Sequence, residues 1–281
     1  MVFSFDRLLS ASRPIVPVVH LTGAIFAGGR ALRRSLSLQR VATPLERAFK
    51  MKKAAAVALV INSPGGSAAQ SSLIAGRIRA HAAESGLPVL AFVEDAAASG
   101  GYWLACAADE IFVDANSIVG SIGVVSAGFG FQEAISRLGI ERRLHTAGIR
   151  KAILDPFQAE REEDVAHLRA LQQEIHRGFK AWVRERRGQR LKGEDEQLFS
   201  GAFWTGSQAV ESGLADGIGQ IRDMLRERFG EKVRLVPMER KRGSLSGFLG
   251  VGGGAEKRLE DLGPQALAAI EERLAWQRVG L

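Results

Sequence analysis

The chain has 281 residues, a formal charge of +7, and 46% hydrophobic against 25% charged residues. This composition is typical of a folded globular protein and excludes a disordered or fibrous chain. Cys106 is the only cysteine, so an intramolecular disulfide is excluded, and a cytoplasmic location is the simplest expectation.

In chain order, short apolar runs alternate with longer amphipathic ones, and this alternation predicts an α/β fold built from βα units. The first strand is predicted at 15–21, where Pro17 favours an edge strand or the start of a strand over a central position. A helix is predicted to begin at Thr43-Pro44, because threonine can cap a helix and proline is tolerated at the first helical position. The other predicted elements are strands at 55–61, 88–93 and 110–114, and helices at 67–84, 99–107 and after residue 160.

Three parts of the chain are distinguished by composition. Residues 1–13 are expected to be a flexible N-terminal segment, and charges and prolines interrupt the first 21 residues too often for a signal peptide or a membrane span. Residues 14–237 are expected to form the main domain. Residues 238–281 read as a basic, glycine-rich linker followed by an amphipathic helix at 264–279.

Two glycine-rich corners follow consecutive predicted strands, at the edge where open α/β sheets place binding sites. The first is Asn62-Ser63-Pro64-Gly65-Gly66. Paired glycines let backbone N–H groups approach a substrate, as an oxyanion hole requires. A tight turn without a chemical role explains the same residues equally well.

The second corner, residues 95–103, places Ser99 among small residues where a strand turns into a helix. Small neighbours leave the hydroxyl accessible, and the helix N-terminus offers backbone N–H groups, a setting shared by many nucleophilic serines. A plain N-cap role for Ser99 is the competing interpretation.

A nucleophilic serine needs a base. Among the five histidines, His145 alone falls in a predicted loop near the right region, and it is the base of a triad hypothesis with Asp109 or Asp155 as orienting residue. Lys151, which is followed by an apolar run, is the other candidate, because burial can lower a lysine pKa enough to free the neutral amine.

Several motifs in order resemble the signal-peptide-peptidase A family of Ser-Lys serine peptidases. The resemblance runs from about residue 15 to residue 236. The motifs are those at residues 61–66, 98–102, 107–111, 120–124, 148–151, 203–206 and 209–217.

The resemblance implies a ClpP/crotonase-like spiral of βα units, here with a C-terminal helical extension. It implies Ser99 as nucleophile, Lys151 as general base, and the N–H groups of Gly66 and Gly100 as oxyanion donors. Ser121 matches a position that holds the lysine amine. No metal and no cofactor are expected.

The same resemblance implies peptides or unfolded proteins as substrates, with signal-peptide remnants among them, and assembly into a homo-oligomer. Many relatives carry a membrane anchor that is not evident here, so peripheral contact with anionic lipid on the inner face of the membrane is expected instead. Nucleic-acid binding is not expected, because only net charge suggests it.

Two alternatives remain open from the sequence. A crotonase-like acyl-CoA enzyme would use the same spiral and oxyanion hole, with a glutamate such as Glu94 or Glu110 as acid or base. A catalytically inactive scaffold of the same fold would bind peptides or membrane, although the presence of both Ser99 and Lys151 argues against it.

Overall fold

A computed structural model describes residues 13–27, 35–238, 270 and 272–281. Strands and helices alternate along the chain, which confirms the predicted α/β class and the succession of βα units. The strands are β1 (Ile15–Thr22), β2 (Val57–Ser63), β3 (Val89–Ala98), β4 (Glu110–Val113), β5 (Ile118–Gly120), β6 (Phe203–Thr205), β7 (Gly217–Ile218) and β8 (Arg234–Pro237). The helices are α1 (Leu38–Phe49), α2 (Ala68–Ser85), α3 (Gly100–Ala105), α4 (Gln132–Arg137), α5 (Glu162–Arg187), α6 (Asp195–Leu198), α7 (Gly206–Glu211) and α8 (Ile221–Phe229).

The strands form one sheet with the order β6-β5-β3-β2-β1-β8, and β4 and β7 branch from β3. All pairs are parallel except β5 with β6. The first half of β3 pairs with β4 and its last residues pair with β5. The sheet therefore forks along β3, at Glu94 and Asp95, where the register with β2 also shifts. The fork lies just before Ser99, at the carboxyl edge of the sheet.

Strand β2 is buried on both faces, as its continuous apolar run predicts. Val57, Leu59 and Ile61 belong to the larger core with residues of α1, α2 and α3. Ala58 and Val60 face a second core that contains Leu225 of α8. Helices thus cover both faces of the sheet, and packing on both faces holds the end of β2 in place.

The predicted helix start at Thr43-Pro44 is wrong. Helix α1 begins at Leu38, and Pro44 lies inside it. Val41, Pro44 and Leu45 are all buried along the helix, so apolar packing continues through the proline although proline removes one backbone hydrogen bond.

Pro17 does not lie in an edge strand, because β1 lies between β2 and β8. It lies near the start of β1, as its third residue. Met238 N–H donates to the Val18 carbonyl. In this part of β1, the N–H and C=O groups of even-numbered residues therefore point toward β8, and those of odd-numbered residues point toward β2. Pro17 therefore faces β2, and the continuous ladder with β2 begins one residue later, at Val18. Pairing on this side is interrupted at Pro17, between an isolated bridge that joins Ile15 to Ala54 and the ladder that starts at Val18.

The chain ends are described only in part. The predicted flexible segment 1–13 and the predicted linker lie almost wholly outside the described residues, so the three-part division stays a prediction. Within the predicted helix at 264–279, residues 272–277 are helical. Across the described ranges, none of the helices combines the length and the apolar character needed to cross a bilayer.

Candidate active site

The first glycine corner is pinned by backbone hydrogen bonds to Ile25. Ile25 N–H donates to the Gly65 carbonyl (2.8 Å), and Ser67 N–H donates to the Ile25 carbonyl (2.7 Å). Gly65 and Gly66 have φ of +98° and +140°, and a Cβ on Gly66 would lie 2.2 Å from the Ile25 carbonyl oxygen. Only glycine fits this backbone path.

The second corner holds Ser99 in a strained conformation, with φ of 50° and ψ of −118°. Its N–H donates to the Gly120 carbonyl at the end of β5 (2.8 Å). Ser99 occupies the N-cap position of α3, but its side chain makes no capping hydrogen bond. Strain of this kind in a non-glycine residue persists only where the surroundings enforce it, and it is often found at functional sites.

The two corners touch through their backbones. A Cβ on Gly65 would lie 2.7 Å from the Gly100 nitrogen, and a Cβ on Gly100 would lie 3.3 Å from the Gly66 nitrogen. Within the described ranges, neither the Gly66 nor the Gly100 N–H has a hydrogen-bond acceptor. The structure therefore brings together, beside Ser99, the two N–H groups that the sequence suggested as anion donors.

A buried serine that the sequence did not single out supports this contact from behind. Ser71 Oγ donates to the Ser67 carbonyl (2.9 Å), and a Cβ on Gly100 would lie 2.4 Å from Ser71 Oγ. The only sequence signal was the i, i+4 spacing from the helix cap Ser67. Ser71 Oγ therefore occupies the space next to Gly100 in which a side chain at position 100 would lie.

Ser121 lies directly after the residue that binds the Ser99 backbone. Its φ is +53°, and its N–H donates to the Ala202 carbonyl (2.7 Å). Among the residues that the structure describes, its hydroxyl has no hydrogen-bond partner. Ser121 is therefore near the nucleophile and free to bind another group.

Lys151 lies apart from this backbone framework, on the segment that connects β5 to α5, residues 124–161, which we call the arm. It is exposed, and its N–H donates to the Gly148 carbonyl (3.2 Å). Its ammonium group makes no hydrogen bond or ion pair with any described residue. The structure of a single chain does not bring Lys151 into hydrogen-bond contact with Ser99.

The competing acid and base residues are engaged elsewhere or isolated. Asp109 binds Arg79 and Arg186. His145 has no side-chain partner within the described part of the chain. The triad hypothesis therefore lacks its His-Asp contact. Asp155 pairs with Arg142, and Glu110 pairs with Arg228. The Glu94 carboxylate has no hydrogen-bond or ion-pair partner among the residues that the structure describes.

A buried polar network lies under α3. Arg187, which is 2% exposed, forms two hydrogen bonds to Asp216 (2.7 and 3.0 Å). Burial alone would raise the pKa of Asp216, but hydrogen bonds from Arg187 and from the Ile111 N–H outweigh it and lower that pKa. Tyr102 donates from its hydroxyl to the Leu214 carbonyl (2.8 Å). The network ties the helix that follows Ser99 to the loop before β7.

Cys106 closes the same helix and is fully buried. Burial raises the pKa of its thiol to about 12, so the thiolate is not formed at neutral pH and Cys106 is not a nucleophile. No group of three His, Cys, Asp or Glu side chains in the described ranges could hold a metal ion.

The fold and the site together define a class. An α/β protein with a strained serine at a strand-to-helix turn, beside unpaired backbone N–H groups, has the arrangement typical of serine hydrolases. The family model described as "Peptidase family S49" matches residues 81–232. The chain belongs to this family, and the matched residues include Ser99, Ser121 and Lys151.

Curated relatives extend the similarity to nearly the whole chain. The chain is 50% identical over 281 residues to a protein of Brucella abortus named Na(+)/H(+) antiporter NhaA, covering 98% of this chain and 38% of that protein. It is 31% identical to Protease 4 of Haemophilus influenzae, over 78% of this chain and 35% of that protein. It is 30% identical to the chloroplastic serine protease SPPA of Arabidopsis thaliana, over 75% of this chain and 32% of that protein.

The chain thus spans 32–38% of the length of these relatives. Among solved structures, it is similar to a mutant of the 1510-N membrane-bound stomatin-specific protease, with a TM-score of 0.47, 16% identity, and coverage of 80% of this chain and 98% of that one.

Proposed function

We propose that the chain is a serine endopeptidase in which Ser99 is the nucleophile and Lys151 the general base. The observation that carries this proposal is the contact between the two glycine corners, where the N–H groups of Gly66 and Gly100 lie beside a strained Ser99 and find no acceptor in the described part of the chain. Membership of peptidase family S49 supports it. The substrates we propose are peptides or unfolded polypeptides, including membrane-associated ones.

The proposed reaction is acyl transfer. The neutral Lys151 amine takes the proton from Ser99 Oγ, and the oxygen attacks the peptide carbonyl carbon. The N–H groups of Gly66 and Gly100 stabilise the negative charge on the carbonyl oxygen. The lysine ammonium gives its proton to the leaving amine, and the C–N bond breaks. A water molecule then attacks the acyl-enzyme, and its proton passes through lysine back to Ser99.

This reaction requires a desolvated lysine, because a solvated lysine is cationic at neutral pH. Lys151 is exposed in the single chain, as are apolar side chains along the arm, with Phe129 78% and Ile149 88% exposed. An exposed apolar surface of this kind marks an interaction site. We therefore propose that the arm is covered in a homo-oligomer, where a neighbouring copy supplies the partner of each Ser99 or Lys151.

The proposal is tested by hydrolysis of casein and of short apolar fluorogenic peptides. Ser99→Ala and Lys151→Ala are each expected to lower kcat by at least about a thousandfold, as removal of a nucleophile or its base does. His145→Ala tests the competing base, and Lys232→Ala is the control for loss of an exposed lysine. Both are expected to retain activity.

Circular dichroism and sedimentation establish that each variant folds and assembles. Full activity in folded Lys151→Ala would contradict the Ser-Lys pair, and loss of activity in His145→Ala alone would favour the triad. Absence of any cleavage by the wild-type protein would contradict the peptidase function itself.

A further inference from the structure

A polar groove lies between α5 and the start of the arm. It has a volume of about 230 Å³ and is lined by Val124, Arg169, Gln172, Gln173 and His176. Gln172 and Gln173 are each three or four positions from both Arg169 and His176, so these four side chains lie along one side of α5. Four of its five lining side chains are polar, which distinguishes it from the apolar surface of the arm.

His176 connects the groove to the candidate active site. Its Nε2 lies 3.0 Å from the Ile122 carbonyl oxygen, and because a carbonyl only accepts hydrogen bonds, Nε2 carries the proton. Ile122 follows Ser121, and the Gly120 carbonyl binds the Ser99 N–H. Val124 is four residues beyond Gly120, so their Cα atoms are at most about 14 Å apart.

The groove contains hydrogen-bond donors and a positive charge that are not paired with any other described residue. Arg169, Gln172 and Gln173 have no side-chain hydrogen bond or ion pair with any described residue. The nearby acidic residue on the same helix, Glu174, pairs with Arg177 instead, and no carboxylate lines the groove. A guanidinium beside two amides is a donor set suited to a carboxylate.

We propose that this groove binds a carboxylate of the peptide substrate, within about four residues of the scissile bond, given the reach of an extended chain. The carboxylate belongs either to an acidic side chain or to the C-terminus of the peptide. The inference rests on the proposed peptidase function and adds a substrate preference to it. The Arg169 guanidinium supplies the charge, and His176 keeps the groove aligned with the residues that follow Ser121.

The test uses internally quenched peptides that carry either Glu or Gln at one position at a time on each side of the scissile bond. A second pair of peptides has a free or an amidated C-terminus. Because Arg169 is exposed, its ion pair is expected to be modest, and the acidic peptide is expected to have about fivefold higher kcat/KM at the matching position. The Glu series and the C-terminal pair distinguish the two sources of the carboxylate.

Arg169→Gln is expected to remove this preference while cleavage of the neutral peptides continues. Arg177→Gln, which removes an arginine of the same helix that is already paired with Glu174, is expected to keep it. Equal rates for acidic and neutral peptides in the wild-type protein would overturn the inference, as would a preference that survives in Arg169→Gln.

Binding of the same labelled peptides to Ser99→Ala, measured by fluorescence anisotropy, separates this inference from the peptidase function. Tighter binding of the acidic peptide that depends on Arg169 supports the groove even if no peptide is cleaved. Equal binding of both peptides contradicts it, whatever the cleavage assay shows.

Discussion

The turn from β3 to α3 and the arm each carry one residue of the proposed catalytic pair, and they are held very differently. Ser99 is fixed by a backbone hydrogen bond to Gly120, and the glycine corners beside it leave no room for a Cβ. Lys151 lies on an exposed turn whose own backbone hydrogen bond is local. The nucleophile is therefore preorganised by the single chain, whereas the base is not.

The arm nevertheless has an internal structure. Phe131 N–H donates to the Pro156 carbonyl (2.6 Å), and Phe131 packs on Phe157. Arg142 binds Asp155, whose side chain is only 7% exposed. These contacts close the loop that carries Lys151 without attaching it to the core. The arm is therefore held together mainly by its own contacts, and a neighbouring copy in the proposed oligomer would fix its position.

After loss of Ser99 or Lys151 itself, the largest expected effect comes from the glycine corners beside Ser99, which the single chain holds in place. Gly66→Ala would place a Cβ 2.2 Å from the Ile25 carbonyl oxygen, so the backbone must shift and the Gly66 N–H must turn away. We expect kcat to fall by about a hundredfold or more, the usual effect of losing one oxyanion donor.

The control is Gly76→Ala, because a Cβ on Gly76 in α2 meets no atom within 4 Å. This variant is expected to keep full activity and to gain about 0.5–1 kcal/mol of stability. Peptide hydrolysis and thermal unfolding measure both. Unchanged kcat in Gly66→Ala would show that this N–H is not an oxyanion donor.

The next effect is on stability and comes from the buried network under α3. Asp216→Asn leaves Arg187 buried without its carboxylate, and since Asp216 is itself partly exposed we expect a loss of about 2–3 kcal/mol in the free energy of unfolding at neutral pH. Chemical denaturation measures this loss.

The pH dependence of that loss follows from the lowered pKa of Asp216. Its ordinary value is 3.8 and its value in the folded chain is lower. The carboxylate therefore contributes fully above about pH 4, and the contribution disappears as the pH falls through the folded-state pKa. The difference between Asp216→Asn and the wild type should shrink at acidic pH. A difference that grows on acidification would contradict this assignment.

A smaller effect is expected from the arm. Arg142→Met removes the ion pair with Asp155 and loosens the loop that carries Lys151, so kcat should fall by about fivefold, on the scale of a partly exposed pair. The melting temperature should change little, because the arm makes few contacts with the core. Arg143→Met is the matched control, since Arg143 pairs with Glu141 and both side chains are exposed. Equal activity in the two variants would contradict a positioning role for Arg142.

The smallest effect concerns Cys106. Burial raises the pKa of its thiol to about 12, so a thiol reagent at pH 8 should not react with the folded protein. Addition of denaturant should release one reactive thiol per chain. Rapid labelling of the native protein would show that the core around α3 opens easily. The region around Ser99 would then not be held more firmly than the arm.

Much of the part of the site around Ser99 and the two glycine corners could be predicted from local sequence. Apolar runs that end in Gly65-Gly66 and in Ser99-Gly100 mark the ends of buried strands, and short-range patterns of this kind determine element positions well. The same reasoning failed at Pro44, because tertiary burial of Val41 and Leu45 overrides the preference of proline for a helix start.

The contacts that position the site were not predictable in the same way. Arg187 and Asp216 are far apart in the sequence, as are His176 and Ile122, and no periodicity signals which distant residues meet. The fork at Glu94 and Asp95 depends on pairing of β3 with two different strands. Whether Lys151 is covered depends on a second copy, which a single chain does not specify.

The proposal that Ser99 and Lys151 act from different copies is tested most directly by mixing Ser99→Ala with Lys151→Ala. Each variant alone is expected to be inactive. After joint refolding into mixed assemblies, some sites combine an intact Ser99 with an intact Lys151 of another chain, and peptide hydrolysis should reappear at a substantial fraction of the wild-type rate. Mixed assemblies that remain as inactive as either variant alone would contradict a site shared between copies.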